Sequence, residues 1–214
     1  MKIIAFIAAV ILLYGCNGQQ QKSNTDTSQH SETTSASDDK QRIKDYFDET
    51  YQDIIQTTQG LTEEQLNFKA SPEKWSVLEC VEHIVITEPM LFAGVKEAME
   101  NPATPEKRSE IKLSDDEIPA MLTNRDYKAT APAEMTPVGK YKDVASALSD
   151  LEEQRNMIFA NLENYSIDDM RSRVIEAPFG SIDAYQFMLF IPGHAARHTL
   201  QMEEVKADSN FPSK

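Results

Sequence analysis

Positive charge is scarce in this 214-residue chain: 21 lysines and arginines stand against 35 aspartates and glutamates, for a net charge of −14. That balance excludes nucleic acid as a partner, because phosphate backbones are held by basic patches. It also opposes adsorption on anionic headgroups unless the chain is anchored covalently. Glycine is scarce too, at 7 residues, which disfavours a turn-rich β fold. Two cysteines, Cys16 and Cys80, cannot make a disulfide framework. No apolar run is long enough to cross a bilayer comfortably, the nearest being residues 3–13. With 40% hydrophobic residues the chain can still build the core of one helical domain.

The run at 3–13 follows Met1-Lys2 and reads as the apolar part of a signal peptide. Leu13-Tyr14-Gly15-Cys16 resembles a bacterial lipoprotein cleavage site, with an ordinary signal peptide or an uncleaved anchor as the alternatives. On the lipoprotein reading, residues 1–15 are removed and Cys16 is lipidated. The product is then exported and lipid-anchored to a membrane of the bacterial cell envelope. Loss of Lys2 takes the net charge from −14 to −15. Cys80 is then the one remaining thiol, so no intrachain disulfide forms. Residues 16–39 are almost free of apolar side chains and read as a disordered tether, with a reach of about 25–30 Å. His30 lies within it and reads as a solvated tail residue.

Residues 40–208 carry helical periodicity, and 209–214 read as a C-terminal tail. Helix one spans 40–59, with Ile43, Phe47, Tyr51, Ile54 and Thr58 at spacings of three and four and Gly60 as its stop. Thr62 and Gln65 are spaced for a capping box that starts a short turn. Helix two begins at Ser76, where Ser76 and Glu79 form another such box and Trp75 and Cys80 a hydrophobic staple. Pro89 predicts a kink near 85–87 before the helix resumes to 99. Residues 101–142 are irregular and hold Pro102, Pro105, Pro132 and Pro137, with a short helix expected from Ser114 through a Ser114–Glu117 box. In this connection Arg125, Tyr127 and Lys128 line a pocket mouth or face solvent. Helix three starts after Asp143 with a stripe of Val144, Leu148, Leu151, Ile158 and Leu162, interrupted by Arg155 facing the interior or its rim. Ser166 and Asp169 cap another short turn. Helix four spans 181–207, its inward face made by Phe187, Phe190, Ile191, His194, His198, Gln201 and Val205, with a bend at Pro192.

Histidines four apart on a helix point the same way, one turn from each other. His194 and His198 are such a pair, and His83 is the other histidine of the helical region. Three imidazoles from two helices can bind one transition metal and leave a coordination position open. Zinc, nickel, copper and Fe(II) all suit neutral imidazole. Cys80 and Glu79 are near His83 in sequence but have packing and capping duties. Gln201 either orients a ligand or bonds between helices. An ordinary histidine predicts release of the metal as the pH falls through about 6.5.

Trp75-Ser76-Val77-Leu78-Glu79-Cys80-Val81-Glu82-His83, with His194-x-x-x-His198-x-x-Gln201 and the turn Ala177-Pro178-Phe179-Gly180-Ser181, resembles the DinB-like superfamily over residues 40–207. The resemblance implies an all-α four-helix bundle, with a long connection between helices two and three. It also implies one divalent metal on His83, His194 and His198, often nickel or zinc, with iron also suited to these ligands; a homodimer is one assembly open to the chain. Relatives of this kind include metal-dependent thiol transferases, an isomerase and hydrolases, all acting on small molecules. Low-molecular-weight thiols are mostly cytoplasmic, so export favours metal-assisted hydrolysis, with no catalytic side chain identified. Glu79, Glu82 and Glu88 lie near the site without an assigned role. The alternative is a non-enzymatic envelope module that binds a metal or a small ligand.

Overall fold

The computed structural model describes residues 36–128 and 130–213. The stretch read as a signal peptide, Cys16, His30 and most of the stretch read as a tether lie outside them. Four long helices make the bundle: α1 (Ala36–Thr58), α3 (Val77–Glu100), α5 (Val144–Leu162) and α7 (Ala184–Lys206). Helix α7 packs on α1 and α3, and α5 closes the square against the same two helices. Shorter helices α2 (Glu63–Asn67), α4 (Glu117–Thr123) and α6 (Ile167–Arg171) fill the connections. Helix α4 lies across α7, and Gly193 permits the approach, since a Cβ there would stand 2.8 Å from Cδ1 of Leu122. Among the described residues, no helix is long and apolar enough to cross a membrane.

The helix starts follow the capping chemistry of the sequence. Ser76 and Glu79 exchange side-chain and backbone hydrogen bonds at the head of α3, and Thr62 and Gln65 do so at α2. Asp143 and Ser166 cap α5 and α6. Each satisfies backbone N–H groups that have no partner inside the helix. Pro89 and Pro192 lie inside α3 and α7 without ending either helix.

Several expectations are corrected. Helix α1 begins at Ala36, inside the stretch read as tether. The last helix begins at Ala184 rather than 181, because residues 181–183 belong to a β-hairpin. Its strands, β1 (Val174–Ala177) and β2 (Gly180–Asp183), pair antiparallel with Val174 opposite Asp183. Gly180 turns the chain at φ +127°, a conformation that side chains rarely tolerate. Asp183 then caps α7 through a box with Gln186. Ser114 does not cap a helix: its backbone N–H and hydroxyl both donate to Glu117, and α4 starts only at Glu117. The C-terminal residues fold back, with the Pro212 carbonyl accepting from Gln65 and Phe211 edge-on to Phe68.

The core divides into two apolar clusters, one around Phe47, Val95, Leu162 and Phe187, the other around Ile54, Val81, Leu151 and Met202. Burial of each such side chain contributes about 1.5–3 kcal/mol. Polar side chains lie at the level between them on every long helix: Thr50, Thr87, Glu88, Arg155, His194 and His198. This polar belt positions the site.

Candidate metal centre

Helices α3 and α7 place the three histidines together. A side-chain nitrogen from each of His83, His194 and His198 lies within 4.8 Å of the others. The Nε2 atoms of His194 and His198 are 3.2 Å apart. Two nitrogens about 2.0–2.1 Å from a tetrahedral zinc lie about 3.3 Å from each other, so this spacing fits two corners of a coordination shell.

Each imidazole is oriented through its other nitrogen. Nδ1 of His83 is 2.6 Å from the carbonyl oxygen of Met135 and donates to it. Nδ1 of His198 is 3.0 Å from Oε1 of Gln201 and donates there. Nδ1 of His194 lies 3.5 Å from Oγ1 of Thr87, whose hydroxyl is spent on the His83 carbonyl at 2.8 Å, leaving its lone pairs toward the ring. Protonation at Nδ1 leaves Nε2 of each ring with a bare lone pair. The 3.2 Å contact between His194 and His198 then sets two lone pairs face to face. A cation between them removes that repulsion, so the donor set fits a divalent metal. Trp75 closes one side, its ring centroid 4.6 Å from His83 and 5.8 Å from His198.

Burial sets the protonation state. His83 is 2% exposed and His198 7%. Burial pushes His83 down to about 4, against the opposing pull of the Met135 carbonyl. His194 is pushed down to about 3, by burial first and then by the neighbouring His83 and Arg197. His198 lies well below the ordinary value for the same leading reason. All three are therefore neutral at physiological pH, as coordination requires. The transition expected near pH 6.5 moves down toward pH 4.

The other sequence candidates do not join the cluster. Cys80 is fully buried, its thiol pushed up by burial, and packs with Val77 and Val81. Glu79 caps α3 and pairs with Lys69. Glu82 accepts from the backbone N–H groups of Val138 and Lys140 and so ties down the long connection. Glu88 pairs with Arg155. Arg125 is held by Glu204, and Tyr127 is 60% exposed. Thr87 and Met135 were not foreseen. Thr87 stands four residues after His83 on the same face and was open to detection by spacing. The carbonyl of Met135 carries no side-chain signal at all.

A model of the DinB superfamily matches residues 46–202, and the chain belongs to that superfamily. An uncharacterised protein of Bacillus subtilis (strain 168), YuaE, is 27% identical over 165 residues, covering 75% of this chain and 94% of its own. Among solved structures, YfiT from Bacillus subtilis is similar with a TM-score of 0.54 at 16% identity, over 84% of this chain and 91% of its own. YfiT is described as a probable metal-dependent hydrolase with an unusual four-helix bundle topology. At that identity the likeness shows the fold.

Proposed function

We propose that this protein is a metal-dependent hydrolase of a small molecule, exported and held to a membrane of the bacterial envelope through Cys16. His83, His194 and His198 are its metal ligands, and zinc, nickel or iron would suit them. The observation that carries this reading is the convergence of three imidazole nitrogens within 4.8 Å of one another, with each Nδ1 within hydrogen-bond reach of an oxygen. Held by these three histidines, a divalent metal would supply Lewis-acid chemistry, polarising a carbonyl and activating a water near neutral pH. Gln201, Thr87 and the Met135 carbonyl fix the ring orientations, and Trp75 shields one side from solvent. The description of YfiT supports hydrolysis by analogy of fold.

Purified full-length protein is expected to bind about one divalent metal per chain, and His194→Ala and His198→Ala to lose it while keeping their helical circular dichroism. Hydrolysis of a panel of esters and amides should rise with metal loading and vanish in both variants. Unchanged metal content in the two variants would sink the site. Glu79, Glu82 and Glu88 all have structural partners, which favours a second reading, a metal- or ligand-binding module that needs no side-chain base. Stoichiometric metal without activity on any substrate, thiol-reactive electrophiles included, selects that reading.

The anchor is tested separately. Cys16→Ser should release the full-length protein from membranes, since acyl chains contribute ~0.8 kcal/mol per buried methylene. Continued sedimentation with membranes would make the apolar run at 3–13 the anchor instead.

A further inference from the structure

An apolar cavity of about 330 Å³ lies between α3, α7 and the β-hairpin. Its size is at the lower end of the range for small-molecule sites, about 300–1,000 Å³. Phe179, Phe187 and Phe190 form an aromatic wall: Phe179 stacks on Phe190 at 5.6 Å, and Phe187 meets Phe190 edge-on at 5.8 Å. The wall continues into the histidine cluster, because Phe190 stacks on His194 with ring centroids 6.4 Å apart. Met135 is shared as well, lining the cavity while its carbonyl holds His83. The cavity and the candidate metal centre thus share Phe190 and Met135 as a common wall.

Helix α3 gives the cavity a direction. His83, Thr87, Met90, Gly94 and Glu97 follow each other at spacings of four and three and share one face. From Met90 to Glu97 the cavity runs about 10 Å, at 1.5 Å per residue. At its far end stands Glu97, whose Oε2 is shielded from solvent and has no hydrogen-bond partner among the described residues. Half-buried at the cavity wall, with one oxygen lacking a donor, the Glu97 carboxylate is only partly compensated, and a cation bound in the cavity would offset its charge.

We propose that this cavity is a ligand subsite for a small molecule with an apolar body about 10 Å long and an amine or other cationic end. The cation pairs with Glu97, the body lies along the phenylalanines, and the opposite end points toward His194. Taken as the substrate subsite, it rests on the hydrolase reading; binding itself needs no metal.

The test uses full-length protein without added metal and three probes: 4-phenylbutylamine, 4-phenylbutanol and 4-phenylbutyrate, titrated by calorimetry. The amine should bind about tenfold tighter than the alcohol, and the carboxylate most weakly, as a charge-assisted pair predicts. Glu97→Gln should abolish the preference for the amine and leave alcohol binding unchanged. Glu100→Gln, an exposed control on the same helix, should keep it, which separates Glu97 from the general acidity of the chain. Ala177→Trp, on the hairpin wall of the cavity, should abolish binding of all three. An amine preference that survives Glu97→Gln, or no binding by any probe, overturns the proposal. Metal content of the same variants separates the two readings. Glu97→Gln should retain its metal, and an intact amine preference in a chain that binds no metal would remove the hydrolase reading while leaving the subsite.

Discussion

Replacing Arg155 by methionine is expected to destabilise the bundle by about 3–5 kcal/mol, seen as a fall in the urea midpoint at unchanged slope. Arg155 is 4% exposed and Glu88 is 0% exposed. Nε of Arg155 donates to one oxygen of Glu88 at 3.0 Å, and Nη2 donates to the other at 2.5 Å. Nη1 donates to the Phe47 carbonyl, so one guanidinium links α5, α3 and α1. Burial pushes the Glu88 carboxyl up, and the Arg155 charge opposes the shift. Methionine fills much of the same volume but leaves Glu88 without a counter-ion in the interior. The cost is therefore that of an orphaned charge rather than of lost packing. The double variant Glu88→Met/Arg155→Met should recover most of the loss, because it removes both desolvated groups together. An exposed pair such as Lys107–Glu176 should show no measurable effect when broken. A single variant as stable as the parent would mean that the pair does not sit in a low-dielectric interior.

That pair also shows what the sequence could carry. Arg155 was visible as a break in an apolar stripe, but spacing left both the interior and its rim open. Its partner carried no such signal: Glu88 was one of three glutamates near His83, and nothing local distinguishes a carboxylate that pairs across the bundle from one that caps a helix. The long helices were legible because their apolar period and their capping boxes agree. The hairpin was not, since four-residue strands are too short for alternation to register, and Ser181-Ile182-Asp183 runs straight into an apolar helix. The histidine triad was suggested by an i, i+4 pair and by family resemblance. Its closure required the α3–α7 packing that brings His83 across. The shell behind it was half hidden, because Gln201 and Thr87 share helical faces with the histidines whereas Met135 arrives from the irregular connection.

The metal-free protein should lose stability as the pH falls from about 6.5 toward about 4, and His83 sets much of that slope. In this window the unfolded chain takes up a proton on His83 that the folded chain refuses. Stability is therefore fully present above the unfolded value and is lost on acidification. With the folded value at about 4, the loss from this residue comes to about 3 kcal/mol, at 1.36 kcal/mol per unit. His83 is 2% exposed, whereas His194 is half-buried. Carboxylates titrate in the same range, so the measurement is a difference: urea midpoints of the wild type and His83→Gln at pH 7, 5 and 4. The wild type should lose about 3 kcal/mol more than the variant across that range. Added zinc at 100 times its dissociation constant should restore ~2.7 kcal/mol to the wild type near neutral pH and nothing to His83→Gln. This increment should fade as the pH falls toward about 4, because protons then compete for the same Nε2 lone pairs. Parallel pH dependences in the two proteins would show that His83 is not held neutral by burial. A zinc increment undiminished in His83→Gln would remove His83 from the ligand set.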